Sequence, residues 1–227
     1  MTPDEPLHSI RRELGTLRAQ VGILQDIEAV RTLQFKYGYF MDKCLFPEIV
    51  DLFADDAVLY FMNGVFRGKE GARRLYGGAS GLDGPSYGML FEHIIAQDIV
   101  DVAPDRRTAQ GRFRCFLQAG VHESKKDPPP RIPAQFLEAG IYENEYVRED
   151  GIWKIKVFNY RIVYQARLEQ GWAHSGLEPL MVSGYAACFP DNPRGPDELR
   201  PAPPVWPQTF VMPFHYPHPV TGKPLRE

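Results

Sequence analysis

The sequence predicts an α+β domain, with helices gathered at the N-terminal side and long antiparallel strands after them. Three observations carry this. Helical periodicity runs from residue 7 to residue 42. Four long strand-like runs rich in Ile, Val and aromatic residues follow between Phe91 and Arg167. No alternation of strand and helix of the kind that builds parallel βαβ units occurs among them.

The elements follow in order. Leu7, Ile10, Leu14, Leu17, Val21 and Leu24 recur at spacings of three and four, an a/d pattern of about two and a half heptads. Two readings stand: an amphipathic helix lying on its own domain, or one docking on another subunit. Gly15 and Gly22 weaken the segment and predict a break before Ile23. Pro47 opens a second short helix, PEIVDLFADD. AVLYFM is a strand, and Asn63-Gly64 turns it into VFRG. KEGARRLYGG reads as a third helix ended by its glycines. Strands are then predicted at Phe91 to Val102, Thr108 to Val121, Gln135 to Arg148 and Ile152 to Arg167, with tight turns at Pro104-Asp105 and Asp150-Gly151. Residues 175–227 hold 12 of the 21 prolines, yet keep Trp206, Phe210, Phe214 and Tyr216. That apolar content predicts an ordered extended arm on its own domain or on a neighbouring subunit. The chain therefore divides into a helical extension (1–22), a central domain (23–174) and the arm (175–227).

Composition narrows the class. A net charge of −3 gives no basic surplus for nucleic acid. Cys44, Cys115 and Cys188 are odd in number and far apart, as reduced thiols are, and form neither a disulfide framework nor a zinc site. No apolar run reaches membrane-spanning length, and the first seven residues lack a signal-peptide core. The expectation is a cytoplasmic protein with no membrane partner.

Candidate chemistry sits on a few faces. Tyr39 and Asp42 are three apart on one helix face. Burial there would raise the aspartate pKa and suit it to acid–base work, whereas an exposed Asp42 would only cap the next turn. His93 lies in a strand between apolar residues; it is either a satisfied imidazole or a proton carrier oriented by a carboxylate. Arg112, Arg114, Phe116 and Gln118 share one strand face. Turned inward, these arginines would hold a phenolate or enolate oxygen; turned outward, they would be solvated. Tyr142, Asn144 and Tyr146 share a face that suits a pocket better than the opposite face, with Glu143 and Glu145. Tyr60 is a further lining candidate, and Asn159 shares parity with Trp153 and Ile155, which would put it at a pocket floor. His215 and His218 lack the further ligands a metal needs, and neither GKEG nor YGGASGLDG matches a phosphate-binding loop.

The stretch LQDIEAVRTLQFKYGYFMDKCLFPEIVDLFADDAVLYF, then FRGKEGARRLY, FEHIIAQDIVDVAPDRRTAQGRFRC and ENEYVREDGIWKIKVFNY, in this order, resembles the SnoaL-like proteins of the NTF2-like superfamily over residues 20 to 165. The resemblance implies an NTF2-like cone, with N-terminal helices on a strongly curved antiparallel sheet. It also implies that Asp42 and His93 are the family's acid and histidine, the latter partnering the former as in scytalone dehydratase-like proteins. The resemblance does not supply Arg112 and Arg114, which stand on the reading of the residues alone. The implied function is a cofactor-independent, metal-free lyase or dehydratase for an aromatic substrate. The long arm is similar to that of sphingomonad enzymes that release formaldehyde from lignin-derived diarylpropane or phenylcoumaran dimers. The fold equally hosts non-catalytic small-molecule binders and small subunits of ring-hydroxylating dioxygenases. Such cones associate, so a homodimer or homotrimer is expected.

Overall fold

The computed structural model describes residues 4–78, 84–129, 132–176 and 184–225, with side chains from residue 7 onward. Most of the YGGASGLDG stretch and the start of the arm lie outside the described residues.

Helix α1 (Asp4–Asp42) runs unbroken for 39 residues, so the break expected before Ile23 does not occur. Gly15 is in open space and needs no special geometry. Gly22 is a crossing point: a Cβ there would stand 2.1 Å from the Arg106 guanidinium, which passes over the helix at this position. Beyond Gly22, residues 26, 30, 34, 37 and 41 face the sheet at helical spacing, with Asp26, Val30, Gln34 and Tyr37 buried. Before it, residues 7–21 are exposed on every side, so the helix does not lie on its own domain there.

A short helix α2 (Phe46–Asp51) follows, started by Pro47. It stops earlier than the sequence predicts, because Phe53 and Ala54 are buried as strand residues rather than helical ones. Strand β1 (Phe53–Phe61) returns through a hairpin into β2 (Gly64–Arg67). The two-residue turn is Met62-Asn63, one position earlier than expected, and Asn63 is held by its side chain, which bonds the backbone of Tyr185 in the arm at 2.9 Å and 2.7 Å. Helix α3 (Gly68–Gly78) packs on β1. The four long strands β3 (Met89–Val102), β4 (Thr108–Val121), β5 (Gln135–Glu149) and β6 (Ile152–Arg167) form an antiparallel meander. The arm adds a two-residue strand β7 (Glu198–Leu199). The sheet order is β3-β4-β5-β6-β1-β2-β7, antiparallel except where β1 joins β6 in parallel.

Register shifts in β3 between Ala96 and Ile99, and in β6 opposite Glu145 and Tyr146, bend the sheet around the helices. The result is the α+β NTF2-like cone, closed by α1, α2 and α3, with the main core between helices and sheet. The bulge in β6 also resets parity. Trp153 and Ile155 point inward, but after it Phe158, Tyr160 and Ile162 do, and Asn159 does not.

The arm packs on the outer, convex face. Arg112 donates to the carbonyls of Met212 and Pro213 at 3.1 Å each and stacks over Phe214 at 3.9 Å. Trp206 takes the Val163 carbonyl at 2.9 Å through its backbone N–H. His215 is enclosed between Glu143 and Asp101.

Asp26 ties four elements together. It accepts hydrogen bonds from Arg106 Nε at 2.5 Å and Trp153 Nε1 at 3.1 Å, and Arg148 lies at 3.3 Å. Burial pushes its pKa up, but the bonds from Arg106 and Trp153 and the two guanidinium charges bring it below the ordinary 3.8. A depressed native pKa stabilises the fold above that value, and the contribution disappears as pH falls through the native pKa. Asp26→Asn is therefore expected to cost about 2 kcal/mol at neutral pH. The difference from wild type should shrink below pH 3.8, as denaturant titrations at several pH values would show.

Candidate active site

Asp42 is the last residue of α1, and β3 is an edge strand whose outer backbone groups have no strand neighbour among the described residues. These facts bring Asp42 and His93 together. One carboxylate oxygen of Asp42 accepts the backbone N–H of His93 at 2.7 Å and faces its ring Nδ1 at 2.8 Å. Both side chains are about nine-tenths buried. A carboxylate on Nδ1 fixes the proton there and leaves the Nε2 lone pair as the basic position. His93 lines a cavity of about 150 Å³ inside the cone; Asp42 stands behind it.

The cavity wall is mainly apolar: Met41, Phe46, Phe61, Leu75, Phe91, Leu117, Phe158 and Ile162 contribute. Set into it are Tyr37, Tyr76, Tyr142 and Tyr160. The Tyr142 and Tyr160 rings stand 4.4 Å apart, and the Tyr37 and Tyr76 hydroxyls 3.3 Å apart. Burial raises the pKa of all four, so the phenols stay protonated at neutral pH. Burial likewise pushes the Cys115 thiol up to about 12, which makes it an inert core group.

The carboxyl in the wall is Glu138, on β5. It is 5% exposed, accepts a hydrogen bond from the Tyr160 hydroxyl at 2.5 Å, and is also bonded by Gln165. Gly140 makes the first of these possible, because a Cβ at that position would stand 2.2 Å from the Tyr160 hydroxyl. Burial raises the Glu138 pKa above its ordinary 4.5; the two hydrogen bonds and the charge on His93 oppose the rise without cancelling it. A carboxyl whose pKa burial raises thus shares a cavity with an imidazole held by a second carboxylate.

The remaining predicted site residues divide sharply. Tyr142 lines the cavity. Tyr39 does not: it is 73% exposed, and the tyrosine on the inner face of α1 is Tyr37. The arginine row also faces out. On β4 the inward residues are Ala109, Gly111, Phe113, Cys115, Leu117 and Ala119, an almost wholly apolar set, which leaves Arg112, Arg114, Phe116 and Gln118 on the convex face. Arg114 bonds Gln97 there at 2.7 Å, and Arg112 pairs with Glu143 at 2.9 Å under the arm. Tyr60 also faces out, beneath the Arg200 guanidinium at 4.5 Å. Asn144 is buried in the core, where it and Tyr146 both donate to Gln34 Oε1, at 3.0 Å and 2.8 Å; it supports the fold away from the cavity wall. Asn159 donates its backbone N–H to Asn144 at 2.8 Å. Glu138, Tyr37, Tyr76 and Tyr160 were not singled out from sequence. Glu138 shares strand parity with Tyr142, the signal that could have found it.

Among the described residues no group of three or more His, Cys, Asp and Glu side chains is arranged to hold a metal ion, and no helix is long and apolar enough to cross a membrane.

Residues 22–159 match the SnoaL-like domain. No curated protein matches the sequence. Among solved structures, the dehydrochlorinase LinA is similar at 20% identity and a TM-score of 0.53, over 66% of this chain and 94% of that one. The type 3 hexachlorocyclohexane dehydrochlorinase of Novosphingobium barchaimii gives 22% identity and a TM-score of 0.52, over 66% and 94%. A type 2 form gives 22% and 0.52, over 66% and 93%.

A raised native pKa at Glu138 stabilises the fold below the unfolded value, and the contribution is lost as pH rises through the native one. Wild type is thus expected to lose stability relative to Glu138→Gln as pH rises above 4.5. Paired denaturant titrations from pH 4 to pH 8 would measure this; a pH-independent difference would place an ordinary carboxylate there.

Proposed function

The chain belongs to the SnoaL-like family, and from that premise we propose that it is a cofactor-independent lyase or dehydratase that acts by side-chain proton transfer on an aromatic substrate. The observation that carries this reading is the shared cavity: His93, held by Asp42 at 2.8 Å, and Glu138, held by Tyr160, both open on one aromatic-lined space. In this reading His93 Nε2 is the base, and Asp42 stabilises the imidazolium that forms. Glu138 delivers its proton to a departing oxygen. The named activity of the structurally similar dehydrochlorinases is also an elimination, which supports the reaction class.

Size supports a ring-sized guest. An apolar protein cavity of about 150 Å³ accommodates a benzene molecule. The substrate we favour is a lignin-derived phenolic dimer of the diarylpropane or phenylcoumaran type, with its phenolic ring enclosed and its second ring towards the mouth. For a diarylpropane the steps balance as follows. Glu138 protonates the benzylic hydroxyl, which leaves as water while the phenol passes its proton to a water molecule, giving a quinone methide. His93 then takes the proton of the primary alcohol. The carbon–carbon bond to that carbon breaks, formaldehyde departs, and the electron pair restores the aromatic ring as a phenolate, which regains its proton. The products are a stilbene, formaldehyde and water. The reading includes a cytoplasmic location and a homo-oligomeric state.

Chelator-treated protein is expected to convert such a dimer, releasing trappable formaldehyde and an ultraviolet-absorbing conjugated product. Asp42→Asn, His93→Gln and Glu138→Gln should each lower kcat by about 10²-fold or more, the usual loss of a general acid or base. Tyr39→Phe and Arg114→Ala, both on the exterior, should keep wild-type turnover. Wild-type rates in all three cavity variants would remove the proposed proton chemistry. Tight binding of a small aromatic ligand without turnover of any dimer would mark a binding protein.

A further inference from the structure

The first part of α1 presents an apolar stripe with no partner among the described residues of its own chain. Leu7, Ile10, Leu14, Leu17, Val21 and Leu24 are between 47% and 65% exposed, and residues 7–21 touch no other element closely enough to be covered. Helical geometry explains why the domain cannot cover them. At about 100° per residue, Leu24 lies about 160° around the helix from Asp26, and Val21 about 140° from it on the other side. The stripe thus points away from the sheet that buries Asp26, Val30 and Gln34. A free helix of this length, with two glycines in it, is marginal in water without a partner for that stripe.

We propose that the stripe docks on the same stripe of a second copy of this chain, as a parallel, in-register coiled coil. With Leu7 at a, the a positions are Leu7, Leu14 and Val21, and the d positions Ile10, Leu17 and Leu24. Charge sets the direction. The e positions are Arg11, Arg18 and Gln25, and Glu13 and Gln20 are at g. In a parallel pair g of one helix meets the following e of the other, so Glu13 faces the partner's Arg18, and Gln20 faces the partner's Gln25. In an antiparallel pair e faces e, which sets Arg11 and Arg18 against one another. The seam ends where it should: the next a and d positions are Glu28 and Arg31, which pair with each other at 2.6 Å, and Arg31 also pairs with Asp98 of its own domain at 2.7 Å. The two domains then hang outside the coil, each behind its own Asp26. This contact is independent of the cavity chemistry and lies almost wholly before the residues that match the SnoaL-like domain.

The test uses the full chain. Leu17→Cys places a thiol at a central d position, where the two helices approach within disulfide reach. Both proteins carry Cys188→Ser, since Cys188 is half-buried whereas Cys44 and Cys115 are buried; mild oxidation is then expected to give a cross-linked dimer that the protein without Leu17→Cys does not give. In the Leu17→Cys background, Glu13→Arg should cut the cross-linked yield several-fold by facing Arg18 of the partner subunit, and adding Arg18→Glu should restore it. Far-ultraviolet circular dichroism of each variant controls for folding. A folded Leu17→Cys protein that fails to cross-link overturns the proposal. So does a charge-swapped double variant that stays low, or wild-type protein that sediments as a monomer at micromolar concentration. An oligomer whose mass survives Leu14→Glu with Leu17→Glu, in a protein that does not cross-link, would assign the association to another face and equally overturn it.

Discussion

Two buried carboxylates on one helix fix the cone. Asp26 and Asp42 are 16 residues apart on α1, about 24 Å along its axis. The first is clamped by Arg106, Trp153 and Arg148, and the second by the edge strand at His93. Between them Gln34 meets Asn144 and Tyr146. The packed part of the helix, from Asp26 to Asp42, is held at both ends and in the middle and cannot roll on the sheet. That fixes which residues of α1 face inward, and with them the position of Tyr37 and the imidazole of His93. The polar groups that hold the scaffold and the group that opens on the cavity belong to one row of contacts.

The cavity has a different logic. Its wall comes from all three helices and from β1, β3, β4, β5 and β6, and its polar atoms are few and mutually bonded. In such surroundings burial favours the neutral form of an acid. The buried tyrosines and Glu138 follow this rule, whereas Asp26 departs from it because three cationic or donor groups converge on it. Environment, more than residue type, separates the structural carboxylate from the one placed to hold a proton.

Much of the fold was legible in the sequence because the strands are long and bounded by clear turns. Thr108 to Val121 and Ile152 to Arg167 are bounded as read, and the turn at Asp150-Gly151 joins β5 to β6. The meeting of Asp42 with His93 followed from resemblance rather than from spacing, since the two residues are 51 apart. The faces were harder. On β4 a polar row was sought for a pocket, yet Phe113, Cys115 and Leu117 alternate with it and are the row a core would take. Asn159 was misplaced because a bulge resets parity between Ile155 and Phe158, and periodicity alone does not reveal a bulge. Tyr39 was taken in place of Tyr37, although Val30, Gln34, Tyr37 and Met41 are the positions at helical spacing. That the arm is ordered was legible in its aromatic content, but which groups it covers was not. It lends Arg112 a partner on a face that would otherwise be wet.

The arm also changes what the sheet offers to other chains. A two-stranded hairpin such as β1–β2 ends in a row of free backbone donors and acceptors, to which any extended segment can add. Here Glu198 and Leu199 already occupy that row opposite Val65 and Gly64, and Arg67 closes on Glu198 at 2.8 Å. Asn63 fastens the neighbouring segment through Tyr185. The chain thus supplies its own last strand. Loss of the arm would turn a finished border into a template for strand addition, and the first consequence would be fibrous or amorphous self-association of a domain whose interior is still intact.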